Sequence, residues 1–337
     1  MRLIEPLGLL HGADAATAVT AGNARILGMG GAYAMARLIG DGPPHLVRAA
    51  ELPPSWQALA DRLATPPPPW AGLPDGVSVM GILNATPDSF SDGGDHFAPD
   101  AAIEAGRAMV AAGAGLLDIG GESTRPGSRP VPPAAEQARI LPVLRGLADA
   151  GVPLSVDTRN AATMAAALEA GAAIVNDVSA LAHDPDAAHL VAERGAPVVL
   201  MHMRGTPETM DSLAQYDDVA VEVTQELAAR LDAAEAAGIR RDRIALDPGI
   251  GFAKTATQSR EMLRRLGLLA NLGCPVLVGI SRKSLIGKLS GAEMPKQRGA
   301  GSLAAALLAI TRGVRIVRVH DVVDTIQGIR VWQALLA

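Results

Sequence analysis

From residue 76 onward, short apolar runs alternate with longer segments of a different rhythm. The runs, rich in Val, Ile and Leu, span 78–83, 115–119, 153–157, 173–177, 197–202, 243–247, 275–280 and 315–319. They lack the polar alternation of a half-solvated strand, so they predict strands buried on both faces, as in a parallel sheet. Between them, segments 99–112, 133–149, 160–170, 186–194, 217–237, 258–271, 297–312 and 322–336 are rich in Ala, Leu, Glu and Arg and repeat with helical period. Eight strand-helix units over this length predict a (β/α)8 TIM barrel across 76–337. A doubly wound sheet is the other architecture such a pattern permits.

The first 70 residues read differently. Proline clusters at Pro43-Pro44, Pro53-Pro54 and 66–69 interrupt any long element, and the last reads as a stiff linker closing a small N-terminal extension. Within it, Gly28-Met-Gly30-Gly31 looks superficially like a dinucleotide-binding turn. That motif requires a strand before it, a helix after it and an acidic residue about 20 positions on, and a Gly-rich turn followed by a helix at 33–38 is the expected reading. Likewise Gly287-Lys288 is no P-loop, because Leu289 stands where Ser or Thr would be needed.

Composition narrows the partners. Among 337 residues the net charge is −5 and only 2% are aromatic, which argues against a nucleic-acid binder or a membrane-surface protein. Uncharged runs such as 299–311 fall well short of the roughly 20 apolar residues of a membrane span. The single cysteine, Cys274, lies in an apolar run and reads as a buried structural thiol. With no leader-like N-terminus, a soluble cytoplasmic protein is expected. Trp56, Trp70 and Tyr33 fall in the extension or its linker, whereas Phe90, Phe97 and Phe252 fall on or beside loops that follow strands.

The chemistry collects at the strand ends. Each apolar run terminates in polar residues: Asn84; Asp118 with Gly120-Gly121-Glu122; Asp157; Asn176-Asp177; His202; Asp247; Ser281-Arg282-Lys283; and His320-Asp321. Any one could be a helix N-cap or turn residue. All of them together, at the face where barrel enzymes carry their active sites, predict a single site. His202 alone leaves core packing and the site rim equally open.

These strand ends carry recognisable motifs. Met80-Gly-Ile-Leu-Asn-Ala-Thr-Pro-Asp-Ser-Phe-Ser-Asp-Gly-Gly94 and Asp118-Ile-Gly-Gly-Glu-Ser-Thr-Arg-Pro-Gly127 resemble the two signatures of the dihydropteroate synthase family. Ser155-Val-Asp-Thr158, Asn176-Asp-Val-Ser179, Met201-His-Met-Arg-Gly-Thr-Pro207, Asp247-Pro-Gly-Ile-Gly-Phe252, Gly279-Ile-Ser-Arg-Lys-Ser284 and Arg318-Val-His-Asp321 complete the resemblance in order. Ala85 stands where the family more often has Val.

The resemblance implies a transferase that joins 6-hydroxymethyl-7,8-dihydropterin diphosphate to p-aminobenzoate, releasing pyrophosphate. A pterin edge presents N–H donors beside a carbonyl and so calls for carboxylates, an amide and a cation. Asp157, Asn176, Asp247 and Lys283 supply that set and match the family's pterin positions, with Met201 and Gly279 packing on the ring. Asn84, Arg318 and His320 match its diphosphate site, and Asn84 also faces Mg²⁺, the implied cofactor. Thr124, Arg125, Pro126, Phe252 and Ser284 are the expected p-aminobenzoate contacts. The loops at 88–97 and 124–126 are expected to close over the substrates.

Catalysis is expected from Asp157, Asp247, Lys283, Arg318 and His320 by dissociative substitution, with no protein nucleophile. The family implies a homodimer formed through barrel helices, for which 297–312 is a candidate. Two rival readings are a pterin-dependent methyltransferase, which needs no diphosphate site, and a non-catalytic pterin-binding paralogue, which should have lost site residues.

Overall fold

The structure, a computed structural model, describes residues 1–40, 42–85, 99–123 and 130–336. It begins with a four-stranded antiparallel sheet. Strand β1 (Leu3–Leu10) leads into helix α1 (Gly12–Thr20), followed by β2 (Arg25–Ile26), β3 (Ala32–Gly40) and β4 (Gly42–Arg48). Strand β3 is central: it pairs with β1, β2 and β4. Residues 33–38 are therefore strand, not the helix their Ala-, Met- and Leu-rich composition suggests. Pairing with strands on both sides outweighs intrinsic propensity, which is a weak prior. The expected Gly-rich turn does precede it, with Gly30 and Gly31 at φ +117° and +82°. Pro43 and Pro44 lie on β4, at the sheet edge, where a missing N–H breaks no ladder. Helix α2 (Gln57–Ala64) follows and packs Ala60 and Leu63 beneath the sheet with Tyr33 and Trp56.

The remainder forms a parallel eight-stranded barrel. Its strands are β5 (Ser78–Asn84), β6 (Leu116–Gly120), β7 (Leu154–Asp157), β8 (Ile174–Asp177), β9 (Val198–Met201), β10 (Ile244–Asp247), β11 (Leu277–Gly279) and β12 (Ile316–Val319). The spatial order is β10-β9-β8-β7-β6-β5-β12-β11. A parallel bridge between Leu246 and Val276 joins the two ends, and the Leu246 N–H donates to the Pro275 carbonyl at 2.9 Å. Closure removes the exposed edges an open sheet would carry.

Around the barrel lie α3 (Pro99–Ala111), α4 (Pro133–Gly146), α5 (Ala161–Glu169), α6 (Ala187–Arg194), α7 (Val219–Ala236), α8 (Ala256–Arg264), α9 (Ser284–Ser290), α10 (Gly299–Ile310) and α11 (Val322–Leu336). The helix expected over 258–271 is two elements. After α8 the chain tightens into a 3-10 segment, Leu266–Leu272, in which every residue is buried. Among the described residues, no helix is long and apolar enough to cross a membrane.

Two features tie the parts together. Trp70 plugs the N-terminal end of the barrel: it is 3% exposed and packs with Met80, Leu116, Ile174, Val199, Ala245, Leu277 and Ile316. Its indole N–H donates to the Arg243 carbonyl at 2.9 Å. Strand β1 docks on the 3-10 segment, where the Asn271 side chain brackets Ile4, accepting from its N–H at 3.0 Å and donating to its carbonyl at 2.8 Å. Beside it, buried Glu5 receives Arg37 at 2.7 Å and Arg265 at 2.7 and 3.0 Å. Glu5 would be costly to bury alone, and these two guanidiniums supply the compensation.

Candidate active site

Parallel pairing places all eight strand ends on one face, and register decides which residues become neighbours. Asp157 on β7 aligns with Asn176 on β8, Asp247 on β10 with Met201 on β9, and Arg318 on β12 with Gly279 on β11. Asn84 closes β5 opposite Gly120.

Arg318 organises one half of the mouth. Its Nε donates to Asp118 Oδ2 at 2.6 Å and its Nη2 to Asp157 Oδ2 at 2.8 Å. Asp118 Oδ2 also accepts from Asn176 Nδ2 at 2.9 Å, so one carboxylate orients both the amide and the guanidinium. Asp118 is fully buried, and its Oδ1 has no hydrogen-bond partner among the described residues. Burial pushes the Asp157 carboxyl up to about 7: Arg318 opposes the rise, while Asp118, Glu136 and Asp177 add to it. Arg318 itself stays protonated, because Asp118 and Asp157 more than offset its desolvation.

Lys283 organises the other half. Its ammonium donates to the Ile250 carbonyl and stands 4.6 Å from the centre of the Phe252 ring. Burial lowers Lys283 to about 8, against the pull of Asp247. Asp247 moves the other way: burial raises its carboxyl, offset by Lys283 and by the Gly249 N–H that donates to its Oδ1 at 2.7 Å. Burial thus shifts acid and cation in opposite directions, the pattern that perturbed groups show at functional sites.

The rim is held by the turn after β11. Ser281 Oγ meets both the backbone N–H of His320, at 3.1 Å, and its Nδ1, at 3.0 Å. Arg282, at φ +59°, pairs with Asp321, and its N–H is taken by Ser302 Oγ at 2.9 Å. This turn brings His320 and Lys283 to the same mouth. Ser284 lies exposed at the start of α9. Thr124, Arg125, Pro126, Phe90, Phe97 and the loop expected at 88–97 lie outside the described residues.

His202, for which rim and core were equally open, is a core residue. It is buried, bonded through Nε2 to Glu226 at 2.9 Å and through Nδ1 to Lys254 at 2.9 Å, and burial lowers it to about 4. Asp118, Lys254 and Glu226 are the participants that strand-end reasoning undervalued. Asp118 sits inside a strand rather than at its end, and Lys254 lies two residues beyond the Asp247-to-Phe252 motif.

Fold and mouth define a closed (β/α)8 barrel enzyme with one composite polar site at its C-terminal face. Residues 80–320 match the family described as pterin binding enzyme, and the chain belongs to that family. It is 46% identical over 258 residues to dihydropteroate synthase of Synechocystis sp., covering 76% of this chain and 89% of the relative. It is 47% identical over 263 residues to a probable bifunctional folylpolyglutamate synthase/dihydropteroate synthase of Haloferax volcanii, where the match spans 78% of this chain but only 31% of that longer protein. Dihydropteroate synthase from Xanthomonas albilineans, solved with 4-aminobenzoic acid, superposes with a TM-score of 0.74 at 50% identity, covering 78% of this chain and 94% of that one.

Proposed function

We propose that this chain is a transferase catalysing the dihydropteroate synthase reaction, joining 6-hydroxymethyl-7,8-dihydropterin diphosphate to p-aminobenzoate with release of pyrophosphate. The observation that carries this reading is the pairing of Arg318 with Asp157 and Asp118 beside Asn176, facing Asp247 and Lys283 across one barrel mouth. Carboxylates, an amide and a cation are the groups a pterin edge requires. The relatives named above support it.

The roles divide by charge. Asp157, Asn176, Asp247 and Lys283 hold the pterin, with Met201 and Gly279 against its ring. Arg318, His320 and Asn84 take the diphosphate, so Arg318 exchanges part of its carboxylate pairing for phosphate oxygens when substrate binds. Phe252 and Ser284 receive p-aminobenzoate, together with Thr124, Arg125 and Pro126. The C–O bond to the diphosphate breaks first. The cation left on the exocyclic carbon is stabilised by Asp157 and Asp247. The neutral arylamine nitrogen then forms the C–N bond and gives up its proton to water or the released pyrophosphate.

A divalent ion, Mg²⁺, suits this site as a companion of the diphosphate. Among the described residues no three of His, Cys, Asp and Glu gather into a metal cluster. Asn84 would be its protein ligand, with phosphate oxygens and water completing the shell. When bound, it neutralises charge on the departing pyrophosphate. A homodimer through the outer helices also belongs to this reading, with Leu308 on α10 and Val323 and Val331 on α11 exposed. So does a cytoplasmic location, consistent with the lone buried thiol of Cys274, which burial pushes up to about 12.

The test is direct. Purified protein is incubated with pterin diphosphate, p-aminobenzoate and Mg²⁺, and dihydropteroate and pyrophosphate are measured. Equimolar products are expected, and Asp157→Asn should lower the rate by about two to three orders of magnitude in a folded protein. Folded wild-type protein yielding neither product would overturn the assignment.

A further inference from the structure

Behind the substrate-facing residues lies a buried lysine that the reaction does not use. Lys254 is 6% exposed. Its ammonium donates to the Gly249 carbonyl at 3.1 Å, the Phe252 carbonyl at 3.0 Å and His202 Nδ1 at 2.9 Å. Among the described residues it has no carboxylate within ion-pair distance. A buried charge held only by dipoles is expensive, so burial lowers Lys254 to about 7 against the pull of Asp247, and an apolar side chain of similar length would avoid that cost. The retained amine needs a task.

The turn it clamps supplies one. Between β10 and α8 the backbone runs through positive φ at Gly249 (+65°), Gly251 (+81°) and Ala253 (+48°). A Cβ at Gly249 would sit 2.0 Å from the His202 carbonyl oxygen. Left-handed backbone at Ala253 costs about 1–2 kcal/mol and persists only where surrounding contacts impose it. Both carbonyls held by Lys254 belong to residues that place site groups. The Gly249 N–H holds the Asp247 carboxylate, and Phe252 carries the ring beneath Lys283. Between them the Ile250 carbonyl receives Lys283 itself.

The ammonium is in turn anchored from behind. Because His202 Nδ1 accepts from Lys254, its Nε2 carries the proton and donates to Glu226. Glu226 is fixed by Arg204, whose Nε lies 3.0 Å from Oε1 and whose guanidinium stacks 3.8 Å from the centre of the Tyr216 ring. The chain Arg204–Glu226–His202–Lys254 thus runs from the segment after β9, by way of Glu226 on α7, to the back of the turn.

We propose that Lys254, tethered by His202 and Glu226, is a positioning residue that sets the Asp247 carboxylate and the Phe252 ring together, coupling the pterin and p-aminobenzoate subsites without touching either substrate. The inference rests on the synthase reading of those subsites.

Lys254→Met, Lys254→Arg and wild-type full-length protein are compared by steady-state kinetics and by amide hydrogen exchange over 247–253. Lys254→Met should exchange faster over this turn and raise KM for both substrates by about 10- to 100-fold, the loss expected when several buried hydrogen bonds are removed. Lys254→Arg should recover part of that loss. A merely structural role would reduce the active fraction, scaling kcat while leaving both KM values unchanged, and that result overturns the proposal. So does wild-type exchange over the turn. Should Lys254→Met not fold, His202→Leu removes only the tether and must shift both KM values in the same direction, unchanged values again overturning the idea. Hydrogen exchange needs no turnover, so wild-type protein that makes no dihydropteroate defeats the synthase reading while still deciding whether Lys254 holds the turn.

Discussion

Arg318 spans the barrel mouth to Asp157, Nη2 to Oδ2 at 2.8 Å, while its Nε is held by Asp118 at 2.6 Å. The guanidinium proposed to take the diphosphate is thus already paired with two aspartates, one of which is a proposed pterin ligand. In that reading substrate competes with this internal pairing, so the free energy of diphosphate binding includes a reorganisation of the site.

Asp118 holds both Arg318 and Asn176, and its removal leaves a guanidinium nitrogen and an amide without a partner. Asp118→Ala is expected to destabilise the protein by about 3–5 kcal/mol, the usual cost of breaking a buried ion pair. Urea unfolding at neutral pH measures it, and a loss below about 1 kcal/mol would show that water satisfies the orphaned groups.

Asp157 links the site to stability. Its folded carboxyl lies near 7, above an ordinary aspartate, because of burial and neighbouring acids. Between about pH 4 and 7 the unfolded chain has lost this proton while the native protein retains it. Unfolding free energy therefore falls as pH rises, by up to about 1.4 kcal/mol per pH unit from this group. Asp157→Asn should lack that component of the slope when urea titrations at pH 5, 6 and 7 are compared with wild type. Glu136, Asp177 and Asp247, raised in the same direction, keep their own contributions in both proteins.

Phe252 is a wall rather than a brick. Its ring contacts the Lys283 ammonium at the mouth, and it is only half-buried. Phe252→Ala should raise KM for p-aminobenzoate by about tenfold, matching the roughly 1–2 kcal/mol of a stacking or cation–π contact. The melting temperature should shift by only a few degrees. A large stability loss with unchanged KM would place the ring in the core instead.

Trp70 supplies the opposite case. Trp70→Ala opens the floor of the barrel and is expected to cost about 3–5 kcal/mol. Thermal denaturation reads the loss, while KM for both substrates should stay at wild-type values at a temperature where the variant is folded, since the plug lies at the end of the barrel away from the site.

The barrel was legible because its strands are buried on both faces and its helices repeat, so one period recurs along the chain. The strand-end positions of Asp157, Asn176 and Asp247 were legible for the same reason: parallel strands carry all their C-terminal ends to one face. Residues 33–38 were misread because a helix-prone composition says nothing of the strands that flank it in space. The long helix over 258–271 was misread because docking of β1, through Asn271 and Ile4, accompanies a tighter segment that helical periodicity does not reveal.

Sequence alone therefore determined the repeating architecture and the chemical inventory of the mouth, since both follow from local patterns of hydrophobicity and residue type. Tertiary structure decided the pairings. Arg318 meets Asp118 and Asp157 across 200 and 161 residues of chain, and Lys254 meets His202 across 52. Such partners are set by barrel closure and strand register, and the low dielectric of the interior makes each pairing energetically consequential. Neither register nor dielectric is written in any local stretch of residues.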